Sequence, residues 1–262
     1  MSDEVKKTNH VVYRAADNHI HEIYFIREKG WRHANLSVGP GAPLGSGNPS
    51  GYTFDLDRSN HIIYRGQDGH IHDLCFIRGT GWIHSNLSGT TGGPTAAGDP
   101  AGHIFPVFPS QHVEYRGNDG HIHELYWMAE KGWRHASLTA GTPGASLAAG
   151  DPTGYAFGLD NSNHVVYRGQ DGHIHDLCFI RGQGRIHTNL TASTGAPTAA
   201  GDPKGYTFDL FPSQHVVYRG IDGNIYQLYW MAEKGWRFSN MTGDINAPTP
   251  VSDVSGHTYD LR

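Results

Sequence analysis

Apolar and polar positions alternate along this chain in short bursts separated by turn residues. Between Asn60 and Ser110 the bursts are His61 to Arg65, His70 to Ile77, Trp82 to Leu87 and His103 to Val107. Each is rich in β-branched and aromatic residues and bounded by Gly, Asp, Pro or Asn, which predicts four strands. No segment sustains a 3.6-residue apolar period with helix caps, so a helical solenoid is excluded. The four-burst pattern recurs five times, beginning at Asn9, Asn60, Gln111, Asn163 and Gln214. Copies two and four share HIHDLCFIRG, and copies three and five share LYWMAEKGWR after FPSQHV. That is the pattern of a pair that was itself duplicated.

Four strands in a repeat of this length predict an all-β fold, a five-bladed β-propeller with four antiparallel strands per blade. The stretch from Leu87 to Gly102 is long and rich in Gly, Ala, Thr and Pro, as a crossing from the outer edge of one blade to the centre of the next requires. The strand order within a blade is therefore GYTFDL, HVVYR, HIHELYW, GWRHANLS. On this order the first copy lacks an innermost strand, and Gly256 to Leu261 has no followers. The ring is expected to close by that C-terminal strand joining the three N-terminal ones, hiding edges an open sheet would expose. Removing the last eight residues should open it. Residues 1–8 form a polar tail expected to be frayed, and residues 9–262 a single propeller with repeats at 9–59, 60–110, 111–162, 163–213 and 214–262.

A net charge of −5 and the absence of Lys or Arg clusters give no electrostatic support for a nucleic-acid or anionic-membrane partner. No apolar run is long enough to span a bilayer and no charged start precedes an apolar stretch, so a cytoplasmic or non-classically secreted protein is expected. Cys75 and Cys178 fall in the same slot of non-adjacent copies, which predicts two buried free thiols.

The hairpin HIIYRGQDGHIHD carries Gly69 in third place of its turn, which suits a type I turn followed by a left-handed glycine bulge. With that register His61, Ile63 and Arg65 share a face with Ile71 and Asp73. A histidine, an arginine and an acid then converge in each copy: His10, Arg14 and Glu22; His61, Arg65 and Asp73; His112, Arg116 and Glu124; His164, Arg168 and Asp176. The fifth copy has His215, Arg219 and Gln227. Such donors and acceptors bracket sugar hydroxyls, and a nearby aromatic covers a sugar's apolar face. Trp31, Trp82, Trp133 and Trp236 supply one aromatic each, while copy four has Arg185 in that slot.

In these motifs the chain resembles the fucose-binding lectins of fungi and bacteria, with the five-bladed tachylectin-like lectins as a second comparison. The family builds each site from an Arg, a Glu and aromatics of neighbouring blades, on a strand of the form R-V-Y-Y-Q, a D-G turn, an I-x-E strand and a G-W step. All five copies follow that layout. The resemblance maps the acid onto Glu22, Asp73, Glu124, Asp176 and Gln227, and the family arginine onto His10, His61, His112, His164 and His215. A neutral imidazole is a weaker hydroxyl donor than a guanidinium, so the resemblance implies a lectin more than it implies fucose.

Other readings of the same residues remain open. The repeated tyrosines Tyr13, Tyr64, Tyr115, Tyr167 and Tyr218 fit blade packing, the Gly-Trp aromatics fit packing or stacking on a ligand, and the polar set fits an inter-blade network or a sugar site. Of 19 histidines all but His103 and His257 occupy four repeated slots. Pairs such as His70 and His72 share a strand face and invite a metal, but too few ligands accompany them, so no metal and no cofactor is assigned. The fifth copy replaces three of these slots with Asn224, Tyr226 and Phe238 and tests whether the blade needs them. No Gly-x-Ser-x-Gly, His-Glu-x-x-His or single acidic pair points to catalysis. The expected function is a multivalent glycan-binding protein with up to five inter-blade sites, copies one and three being the most complete. The alternative is a non-enzymatic scaffold that binds protein through one rim.

Overall fold

In the computed structural model, which describes residues 8–209 and 211–258, the bursts become five antiparallel sheets. The first holds β1 (Asn9–Arg14), β2 (Ile20–Ile26) and β3 (Gly30–Asn35). The second holds β4 (Ser50–Phe54), β5 (Ser59–Arg65), β6 (Ile71–Ile77) and β7 (Gly81–Asn86). The third holds β8 (Ala101–Phe105), β9 (Ser110–Arg116), β10 (Ile122–Met128) and β11 (Gly132–Ser137). The fourth holds β12 (Thr153–Phe157), β13 (Ser162–Arg168), β14 (Ile174–Ile180) and β15 (Gly184–Asn189), and the fifth β16 (Lys204–Phe208), β17 (Ser213–Arg219), β18 (Ile225–Met231) and β19 (Gly235–Asn240). These are the five blades of a β-propeller, meander sheets with β4, β8, β12 and β16 innermost.

The glycine bulge sets the register as the turn chemistry requires. Gly69 takes φ +79°, and Ile63 lies opposite Asp73 and Arg65 opposite Ile71. In the first blade Asn18, at φ 63°, does the same work, since Asn tolerates the left-handed region better than other non-glycine residues. Three five-residue helices were not foreseen: α1 (Leu87–Thr91), α2 (Leu190–Thr194) and α3 (Met241–Ile245) follow the outermost strands of blades two, four and five. Asn86, Asn189 and Asn240 cap their N-termini, and Gly92, Gly195 and Asn246 end them in the left-handed conformation.

Because side chains alternate across each strand, every blade has two apolar faces, and the cores lie between blades. One face of blade two (Ile63, Ile71) packs on the opposite face of blade three (Val113, Tyr115, Leu125), and the other interfaces repeat this. Tyr64, Tyr115, Tyr167 and Tyr218 are fully buried, with their hydroxyls donating to Pro43, Pro94, Ser146 and Pro197 carbonyls. These four tyrosines are packing residues, while Tyr13 is half-buried and stacks on His21. Both cysteines are buried free thiols.

Loops between blades carry a second repeated device. The backbone amides of Asp99, Asp151 and Asp202 donate to the carboxylates of Asp151, Asp202 and Asp253, and Asn48 Nδ2 donates to Asp99. Each step joins one blade's entry loop to that of the next.

The innermost place of the first blade differs from the others. Val11 is 53% exposed, whereas its counterparts Ile62, Val113, Val165 and Val216 are 0–3% exposed beneath an innermost strand. Gly256 abuts Tyr206 as Gly205 abuts Tyr155 and Gly102 abuts Tyr52, so residues 256–258 continue the circle of inner strands past β16. Among the described residues they do not pair with β1. The expected closing strand runs to Leu261, and its residues 259–261, like residues 1–7 of the expected tail, lie outside the described residues.

Candidate functional site between blades

The repeated histidine meets the acid in blades one to four and Gln227 in blade five. His10 Nδ1 and Glu22 are hydrogen-bonded, as are His61 with Asp73 (2.8 Å), His112 with Glu124 (2.7 Å), His164 with Asp176 (2.9 Å) and His215 with the amide of Gln227 (2.9 Å). The arginine does not join them. It lies four residues along the strand, about 13 Å away at a 3.3 Å rise. Arg116 reaches Asp151 (3.4 Å) and Arg168 reaches Asp202 (3.1 Å), with Arg65 3.8 Å from Asp99. Arg14 and Arg219 hydrogen-bond loop carbonyls at Gly47 and Ala200. The expected triad therefore separates into a histidine–acid pair and an arginine that ties blades together.

The tryptophans are also distributed differently from the expectation. Across β6 and β7, Asp73 lies opposite Ser85, and Trp82 lies opposite Phe76, so acid and Trp of one copy point to opposite faces. Trp82 packs on the core between blades one and two, Trp133 on that between two and three, and Trp236 on that between four and five. In blades one to four each pair thus faces the Trp slot of the following copy. Trp31, in the first copy, is 57% exposed and meets Phe25 edge-on.

This offset moves the defect of copy four. Arg185 stands opposite the His112–Glu124 pair, and a cavity of about 470 Å³ opens between blades three and four. Its polar wall is Ser110, His112, Glu124, Asn163, Arg181 and Arg185, and its apolar wall includes Phe105, Tyr126, Leu138 and Phe179. Arg181 lies over the Phe108 ring at 4.3 Å and bridges the two blades at the cavity. The His112 and Glu124 side chains keep 12% and 11% exposure, against 5% and 4% for His61 and Asp73 and 4% and 3% for His164 and Asp176.

The inner-strand residue stacked on the histidine differs as well. Tyr52 stacks on His61 at 5.0 Å and Tyr155 on His164 at 4.9 Å, and their hydroxyls donate to Gln111 and Gln214 of the next blade. Blade three has His103 there instead, stacked on His112 and bonded to Asn163 at 2.6 Å.

Charge states follow from the hydrogen-bond partners. Burial pulls the His61 imidazole down, but its bonds to Asp73 and Cys75 outweigh that and raise it to about 10. Burial in turn raises Asp73 against the pull of His61, so the pair holds its proton tightly. His164, beside Asp176, is likewise raised to about 10 against burial. For Glu124 burial acts upward, but the His112 bond and the charges of His112, Arg185 and His103 prevail and hold the carboxyl below its ordinary value. The His112–Glu124 pair therefore presents an ionised acceptor to the cavity.

Serine, histidine and acid also line up as a relay, with Ser110 Oγ 2.8 Å from His112 Nε2. Ser59, Ser110, Ser162 and Ser213 are 0–4% exposed, and Ser59 and Ser162 donate to Asp57 and Asp160. A buried hydroxyl at the start of a strand fits a structural tie and not a nucleophile.

The remaining histidines form a separate array on the opposite blade face. His72 Nε2 donates to Asp68, leaving Nδ1 to accept from His84 Nε2 at 2.9 Å, and blades one, three and four repeat the arrangement. In blade five Tyr226 donates to Asp222 at 2.7 Å with the same sheet register, so the blade does not need the histidines.

No protein-family model and no curated protein sequence matches the chain. Among solved structures it is similar to AofleA from Arthrobotrys oligospora, with a TM-score of 0.65 at 15% identity, covering 95% of this chain and 70% of that one. BP39L lectin from Burkholderia pseudomallei gives 0.63 at 14% identity over 87% and 64% of the respective chains. The fucose-specific lectin of Aleuria aurantia gives 0.58 at 15% identity over 95% and 80%. The chain shares the fold of these proteins.

Proposed function

We propose that the chain is a multivalent, non-enzymatic carbohydrate-binding protein whose sites lie between blades, with the cavity between blades three and four as the principal one. The observation that carries this reading is the open His112–Glu124 pair facing Arg181, Arg185 and Phe179 from the next blade across a cavity of about 470 Å³. That volume lies in the range of small-ligand pockets, and its mix of a few charged groups with aromatic walls suits a sugar's two kinds of surface. The likeness in fold to a lectin named fucose-specific makes L-fucose the first monosaccharide to try. The pairs of blades two and four, sealed beneath tyrosines, contribute structure, and the exposed His10 of blade one offers a second, shallower site. Weak sites on one ring gain through avidity on a glycan-bearing surface.

Calorimetry with L-fucose, preceded by a glycan array, tests the reading. Glu124→Ala removes an ionised acceptor and is expected to weaken binding by roughly tenfold or more. The same variant should keep the wild-type circular dichroism spectrum. An array without signal, or sugar binding unchanged in Glu124→Ala, overturns it.

A further inference from the structure

Blade three departs from the repeat at two further positions, and both departures fall beside the open pair. Glu114 occupies the slot held by Val12, Ile63, Val166 and Val217 in the other copies, and His103 the slot held by Tyr52, Tyr155 and Tyr206. The sheet register sets Glu114 directly opposite Glu124 and His103 directly opposite His112, so all four side chains share one face. Two carboxylates opposite each other repel and destabilise a strand pair unless something compensates.

Glu114 has no exposure, its Oε2 lies 3.3 Å from His103 Nδ1, and its Oε1 is buried without a partner. An orphaned carboxylate oxygen in a buried site costs free energy comparable to a lost charged hydrogen bond. One ligand atom each from His112, Glu114 and Glu124 falls within 4.8 Å of the others. A cation bound at about 2.1 Å would close that span with small side-chain shifts. From this geometry we propose that His112, Glu114 and Glu124 form a binding site for a divalent first-row transition cation of the Zn²⁺ or Mn²⁺ type.

One imidazole and two carboxylates suit such an ion, since a harder cation prefers oxygen alone and a softer one prefers thiolate. His103 acts behind the ligands. Its ring fixes one oxygen of Glu114 and is itself anchored at 2.6 Å to Asn163, leaving the other oxygen for the ion. A second trio, His61, Asp73 and Cys75, lies under Tyr52 in the sealed interface, where His61 already holds its proton for Asp73. The blade-three site borders the open cavity through His112 and Glu124, which gives the ion a path of entry.

Co²⁺ is the probe, because its visible absorption reports inner-sphere ligands, with competition by Zn²⁺ and Mn²⁺. The chain as it stands should take up one Co²⁺ with a coordination spectrum and a raised melting temperature. Glu114→Val installs the residue that three other copies carry at this slot, so the blade is expected to fold. It should weaken that equivalent by more than about tenfold, on the scale at which even supporting groups act. His70→Ala, on the opposite face, should leave it intact. Absence of a coordination spectrum in the wild-type chain, or an equal affinity in Glu114→Val, overturns the proposal. Glu114 does not line the cavity, so the titration is done without sugar and its outcome is separate from that of the lectin reading. A Glu114→Val chain that binds sugar but not Co²⁺ supports the ion site on its own.

Discussion

The interface between blades two and three and the interface between blades three and four are built on the same backbone and differ in what they can admit. The first is filled: Trp133 packs on its core, Tyr52 covers His61, and the Tyr52 hydroxyl reaches Gln111. The second has Arg185 for the tryptophan and His103 for the tyrosine, and a cavity lies between its walls. Two side-chain exchanges, made in two different copies, separate a sealed joint from a pocket. Polar pairs of this kind are thus not sites by themselves, and access decides which of them can meet a ligand.

The comparison can be broken most strongly from the closed side. Trp133→Ala should cost about 2 kcal/mol, less than a fully buried Trp because this one is half-buried, and chemical denaturation reads the loss. Loss of less than a few tenths of a kcal/mol would deny Trp133 its sealing role. From the open side, Arg185→Trp should fill the pocket, raise stability by about 1 kcal/mol and weaken sugar binding by roughly tenfold or more. Retained binding with a filled cavity would separate the pocket from the site.

Acid should act through the histidine array of blades two, three and four. Burial lowers His72, and burial followed by the neighbouring imidazole lowers His84, His135 and His187. The unfolded chain takes up these protons near pH 6.5 while the folded chain resists them, so the stabilisation is present above about 6.5 and is lost as pH falls toward the lowered values. The melting temperature is expected to fall between pH 7 and 5. A triple variant placing Phe at His84, His135 and His187, as blade five has at Phe238, should flatten that slope. The smallest expected effect is on the loop ties: Asp151→Ala removes an acceptor for Arg116 and for the Asp99 amide and should cost up to about 1 kcal/mol.

Much of this was readable from the chain. The glycine of the Gln67-Asp68-Gly69 turn fixed which face Asp73 takes, and the pairing of His61 with Asp73 followed. The same parity, carried one hairpin further, places Trp82 on the face opposite Asp73 and would have matched each pair with the next copy's Trp slot. The separation of Arg65 from His61 was equally a matter of strand rise. The short helices were harder to see, since five residues cannot show a helical period, although Asn86 before and Gly92 after α1 are its caps. Depth was not legible at all, because the burial of His61 under Tyr52 arises from stacking between strands and blades. Arg185 stands out in the sequence as the missing tryptophan of copy four and His103 as a histidine outside the repeated slots, but their meeting at one interface, beside Glu114, depends on which blades adjoin and is seen only in the fold.

The offset between a pair and its aromatic partner bears on how such a chain evolves. A copy that is duplicated or lost does not carry a whole site with it but half of one and half of its neighbour's. A change at Arg185 is inherited by the cavity of the preceding copy, so selection for a ligand acts on adjacent copies jointly.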